Sequence, residues 1–129
     1  MTNKERMQHI FAELSEGNDQ PFLDAMAEEF TWHWMGSGSW SKTFRGKAAV
    51  LDELWANVRT SLKPPYKVVA QRFIADGDYV AVEAVGQNAT PGGRVYHNKY
   101  CWVCRWRDGR LYELNEYMDT DLVTRTFQA

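Results

Sequence analysis

Apolar residues fall three and four positions apart at Met7, Ile10, Phe11 and Leu14, which predicts an amphipathic helix over residues 3–16. Gly17-Asn18 supplies its stop. Asp19 stands where a cap is needed and Pro21 suits a first turn, so Phe22, Leu23 and Met26 would form the inner face of a second, short helix. The period then changes. Over residues 30–35 the chain alternates, with Phe30, Trp32 and Trp34 on one face of a strand and Thr31, His33 and Met35 on the other. Residues 36–46 read as a flexible loop carrying two rings, Trp40 and Phe44. Helical spacing returns at Val50, Leu51, Leu54, Trp55, Val58 and Leu62, predicting the main helix over residues 47–62, closed by Pro64-Pro65. Four strand-like runs follow, over residues 66–75, 79–88, 95–107 and 110–118, joined by short turns rich in Gly and Asp. Helices first and a strand meander afterwards give an α+β class, one domain over residues 1–129, with a strongly curved, mostly antiparallel sheet and about three helices on one face.

Parity within the last two runs identifies their inner faces. Tyr96, Asn98, Tyr100, Trp102, Cys104 and Trp106 share the apolar side, while His97, Lys99, Cys101, Val103, Arg105 and Arg107 share the other. In the final run Tyr112, Leu114, Glu116 and Met118 lie together. Glu116 and Asn98 therefore ride on apolar surfaces of neighbouring strands, where an unpartnered carboxyl or amide costs several kcal/mol in order of magnitude. A wet pocket would satisfy Glu116; a strand-end backbone contact or an outward bulge would also do so. Glu83 cannot be oriented by pattern, because the two faces of its run are equally apolar. Asp119 and Asp121, placed before Leu122, Val123 and Phe127, are expected to cap a helix.

Composition narrows the function classes. A net charge of −2 gives no electrostatic reason to expect nucleic acid, and parity turns the arginines interleaved with rings at residues 102–107 outward. No apolar run reaches the ~20 residues of a membrane span and none serves as a signal peptide, so the expectation is cytoplasmic with no membrane partner. Cys101 and Cys104 point to opposite faces of one strand, which argues against a disulfide, and the three His show no ligand spacing, so no metal is expected. Six Trp, six Tyr and six Phe indicate an aromatic core or an aromatic-lined pocket.

The order helix, helix, strand, helix and four long strands resembles the SnoaL-like proteins of the nuclear transport factor two-like superfamily. Its most specific stretches are Phe44-Arg45-Gly46, Tyr96-x-Asn98-x-Tyr100 and the Asp-Gly turn followed by Glu116-Tyr-Met-Asp-Thr120. The resemblance implies a cone around a deep apolar pocket, commonly dimeric through the outer sheet face. It also sets Glu116 at the position of the catalytic acid of limonene epoxide hydrolases and of an acid/base glutamate in phenazine-biosynthesis relatives. Glu83 and Val85 replace the epoxide hydrolases' arginine and second aspartate, and Trp32 and Trp34 replace their water-holding tyrosine and asparagine. The expected function is cofactor-free isomerisation, cyclisation or dehydration of a hydrophobic, polyketide-like small molecule, with Glu116 as general acid/base. Asn98, Tyr100 and Glu83 would contact the substrate's polar groups, and Trp32, Trp34, Trp40, Trp102 and Met118 would line the pocket. Two other readings stay open: a non-catalytic binder of an aromatic or lipid-like ligand, and a dimerisation module whose cone is filled by its own side chains.

Overall fold

The computed structural model describes residues 1–127. The first helix, α1 (Asn3–Leu14), starts at a reciprocal cap: Thr2 Oγ1 accepts the Glu5 N–H at 3.1 Å, and Glu5 Oε1 accepts the Thr2 N–H at 2.8 Å. Met7, Ile10, Phe11 and Leu14 are buried against the sheet, as their spacing predicts. Helix α2 (Gln20–Ala25) is one residue shorter than its apolar pattern. Met26 belongs instead to the strand that follows, β1 (Met26–Trp34), where it pairs with Leu111. The sheet's hydrogen bonds claim it before the helix can.

The loop expected over residues 36–46 contains a short strand, β2 (Thr43–Arg45), which folds back antiparallel on β1 and buries Phe44. The main helix is continuous over residues 47–61 but not uniform: α3 (Lys47–Ala49), a π-helical stretch (Val50–Trp55) and α4 (Ala56–Ser61). The remaining strands are β3 (Val68–Asp76), β4 (Tyr79–Gly86), β5 (Asn88–Ala89), β6 (Val95–Tyr96), β7 (Lys99–Arg107) and β8 (Arg110–Met118). A final helix, α5 (Thr120–Phe127), stands where Asp119 and Asp121 are expected to cap one. Asp119 Oδ1 accepts the Leu122 N–H at 3.0 Å and caps it, as expected, whereas Asp121 pairs with Arg125 one turn on.

Six strands form one sheet in the order β2-β1-β8-β7-β4-β3, antiparallel throughout except for the parallel pair β1 and β8. Asp108 and Gly109 both take positive φ, 49° and 74°, so the turn between β7 and β8 matches the twist of its strands. The run over residues 95–107 is broken at His97 and Asn98: β6 leaves the main sheet to pair with β5. Asn98 holds that break together. Its Oδ1 accepts the N–H groups of Lys99 (2.8 Å) and Asp119 (3.1 Å), and its Nδ2 donates to the Tyr96 hydroxyl (2.9 Å) and the Asp119 carbonyl (3.2 Å). Asn98→Leu is expected to lower unfolding free energy by roughly 2–4 kcal/mol, because buried groups on two segments lose partners at once. Chemical denaturation would measure it, and a change within about 0.5 kcal/mol would reject this role.

Candidate functional site

Strand register brings the site together. Glu116 on β8 lies opposite Trp102 on β7 and opposite Trp34 on β1, so three neighbouring strands converge on one carboxyl. Glu116 is 2% exposed. The Trp32 indole donates its Nε1–H to Oε1 at 2.9 Å, and the Trp102 indole donates to Oε2 at 2.7 Å. Each oxygen thus has one fixed donor and keeps further lone-pair capacity. Burial pushes the carboxyl up from 4.5 to about 7, while the Trp102 and Trp32 hydrogen bonds pull in the opposite direction. The group is therefore poised to hold or release a proton near neutrality.

Beside it runs a cavity of about 100 Å³, lined mainly by rings and aliphatic side chains. Of the residues singled out from the sequence, Trp32, Trp34, Trp40, Tyr100, Met118 and Glu116 line it. Three expected contacts do not. Trp102 stands behind Glu116 and holds the carboxyl rather than forming wall. Asn98 spends both its donors and its acceptor on the protein, so it has a structural task in place of the expected substrate contact. Glu83 faces away: it is half-exposed on the outer face of β4, where Arg72 lies 3.3 Å from its carboxylate. Val82 and Ala84 on either side of it turn inward. Among the described residues the other carboxylate on the cavity, Glu53, is exposed at its mouth, so Glu116 has no second carboxylate beside it in the buried part.

Sequence reasoning missed Trp55, Tyr66 and Tyr96 as cavity residues. Trp55 is brought in by the π-helical stretch, whose wider turn lets the consecutive residues Glu53, Leu54 and Trp55 all reach the cavity. Its Nε1 donates to Asp19 Oδ2 at 2.7 Å, and Arg59 meets the same oxygen at 2.6 Å. Tyr66 lies between the main helix and β3, where no periodic signal could have marked it. The phenols of Tyr66, Tyr96 and Tyr100 lie close enough to feel one another's charge and that of Glu116. Burial first, and these charges after it, push all three above their ordinary value of 10. They are neutral hydrogen-bond donors at any working pH.

The buried carboxyl also makes stability depend on pH. Between 4.5 and about 7 the folded protein keeps the Glu116 proton that the unfolded chain releases. Its contribution is therefore fully present below pH 4.5 and lost as pH rises through about 7, by an amount on the order of 3 kcal/mol. Denaturation midpoints across this window are expected to fall for the parent protein and to fall less for Glu116→Gln; parallel curves would reject the buried titration.

The fold is shared with several solved structures. A nuclear transport factor two-like protein of unknown function from Burkholderia pseudomallei superimposes over 100% of both chains with a TM-score of 0.83 at 20% identity. A protein from Jannaschia sp. CCS1, provisionally named a SnoaL-like polyketide cyclase, covers 97% of this chain and 90% of its own, with a TM-score of 0.75 at 18% identity. TerC, co-crystallised with polyporic acid, covers 97% of each chain with a TM-score of 0.78 at 21% identity. No curated protein matches the sequence. The family model described as a SnoaL-like domain matches residues 7–114, a span that holds the main helix, the tryptophans that clamp Glu116 and most of the curved sheet. The chain belongs to the SnoaL-like domain family.

Proposed function

We propose that the protein is a small-molecule enzyme of the isomerase, cyclase or lyase type, in which Glu116 moves a proton on a hydrophobic substrate. One observation carries this reading: a carboxyl titrating at about 7 stands at the wall of an open apolar cavity, with its oxygens aimed by two indole donors. In the step, the Glu116 carboxylate takes a proton from a carbon next to a carbonyl. The electron pair left on that carbon moves onto the carbonyl oxygen, where the Tyr100 or Tyr66 hydroxyl donates a hydrogen bond to the developing enolate. The protonated carboxyl then returns its proton to a different carbon or to a leaving hydroxyl. The names of the Jannaschia protein and of an isomerase-like neighbour from Bacillus subtilis support this class of chemistry.

The test needs no knowledge of the natural substrate. Solvent deuterium exchange into 3-methylcyclohex-2-enone, followed by proton NMR, is expected to accelerate in the presence of the protein and to rise with pH through about 7. Absence of acceleration for any compound that binds would favour the second reading, a non-catalytic binder. The outward direction of Glu83, which pairs with Arg72 and not with Glu116, favours that alternative. A cone filled by its own side chains is disfavoured by the cavity itself. The outer sheet face exposes Ile74, Tyr79 and Tyr117, and we propose that two copies pair through it. Sedimentation equilibrium is expected to give twice the chain mass, and Ile74→Glu with Tyr117→Glu to reduce it to one.

A further inference from the structure

We infer that the molecule bound beside Glu116 is a single-ring, uncharged compound carrying an oxygen function at the end it buries. The inference rests on the acid/base reading of that site and adds to it the size and charge of the substrate.

Size comes first. Apolar protein cavities of about 150 Å³ accept benzene. The cavity here is about 100 Å³, so one six-membered ring, with its substituents directed to the mouth, is the largest ring system that it takes without rebuilding its walls. Those walls are braced. Trp32 cannot swing without giving up its bond to Glu116, nor Trp55 without giving up its bond to Asp19. Phe22 packs edge-on against both, with ring centroids 5.5 and 5.7 Å away, and fills the space into which they would retreat. Leaving either buried N–H unpaired costs about 1–3 kcal/mol, more than a second ring's worth of contact readily returns.

Charge comes second. Among the described residues the charged side chains on the lining are Glu116 and Glu53, both acidic. Lys42 pairs with Glu53 at 3.8 Å at the mouth, so a carboxylate or phosphate group buried beside Glu116 meets repulsion and no cation on the wall. A cationic amine has to shed its hydration in an apolar cavity, a cost that a single carboxylate already sharing its charge with two indole N–H bonds offsets only in part. The polar groups that remain deep in the cavity are neutral: the phenols grouped around Glu116 and the indole N–H of Trp34, which is buried with no partner among the described residues. Donors of this kind suit a hydroxyl or carbonyl oxygen. Glu53 and Asn57 are exposed and mark the mouth.

The experiment is a titration of the whole protein, followed by tryptophan fluorescence and calorimetry at pH 7.5 as a chosen working condition of about neutral pH, with p-cresol, toluene, 2-naphthol, 4-methylbenzoate and 4-methylbenzylamine. Affinity is expected to be highest for p-cresol, with toluene and 2-naphthol each roughly ten-fold weaker and both ions weaker still. A Val58→Trp variant, which puts a ring into the cavity, is expected to abolish p-cresol binding. Binding of 2-naphthol as tightly as p-cresol overturns the single-ring inference and leaves the acid/base reading standing. So does tighter binding of either ion with respect to charge. Silence of every compound overturns both, and p-cresol binding that survives Val58→Trp moves the ligand elsewhere and overturns the inference.

Discussion

Glu116→Gln is expected to return deuterium exchange into 3-methylcyclohex-2-enone to within a few-fold of the uncatalysed rate, a loss on the order of 10²–10⁴. The same variant is expected to bind p-cresol within a few-fold of the parent. The two expectations separate because Gln keeps the size of Glu and one acceptor oxygen, yet its amide neither takes up nor releases a proton as a base or acid near neutral pH. Its amide nitrogen cannot accept the second indole N–H, so one of the Trp32 and Trp102 donors loses its partner. A stability loss of about 1–3 kcal/mol accompanies that orphaned donor, partly offset at high pH by removal of the buried charge. Equal exchange rates for the parent and the variant would remove Glu116 from the mechanism.

Trp102 carries the second large effect. Its indole is fully buried, stacked on Phe22 with centroids 5.2 Å apart and set edge-on to Trp32 at 5.5 Å. Trp102→Ala is expected to lower unfolding free energy by about 3–5 kcal/mol through the cavity it leaves. Trp102→Phe keeps most of the ring but removes the N–H that donates to Glu116 at 2.7 Å. That bond lowers the affinity of the carboxyl for its proton, so its loss raises the value above the present one of about 7. The exchange profile of Trp102→Phe is expected to move to higher pH while its plateau stays near that of the parent. A profile that does not move would mean that the indole serves packing alone. Comparing Ala with Phe therefore divides what the ring does for the core from what its N–H does for the carboxyl.

Both effects centre on a contact that the chain announces only in part. Alternation along β8 sends Glu116 inward with Leu114, and alternation along β7 sends Trp102 inward with Tyr100 and Cys104, because a pleated strand turns successive side chains to opposite faces. The same rule separates Cys101 from Cys104 and turns Arg105 and Arg107 outward. Tyr112, expected inward with Leu114 and Glu116, lies out beneath them because a register shift opposite Arg105 and Trp106 breaks the alternation and buries Leu111 in its place. The helices were legible for the same reason, since Met7, Ile10, Phe11 and Leu14 on α1 and Leu54 and Trp55 in the main helix carry their burial in their spacing.

Periodicity states which side a residue takes; it does not state what waits there. The Trp32 donor is 84 residues from Glu116 in sequence, and only the parallel pairing of β1 with β8 brings the two together. Glu83 could not be oriented because Val80, Val82 and Ala84 are matched on the other face by Ala81 and Val85, and two apolar faces give no preference until a sheet has an inside. Asn98 shares the parity of Tyr100, yet the chain breaks between β6 and β7 and its amide is consumed in joining them to α5. Local pattern gave the long helices and strands, the inner faces of α1 and β7 and the burial of one carboxylate, because those follow from local geometry and the cost of wetting apolar surface. That this carboxylate is clamped by two indoles, has Glu83 turned away from it and opens on a cavity of about 100 Å³ came only with the tertiary fold, because each depends on register between distant strands.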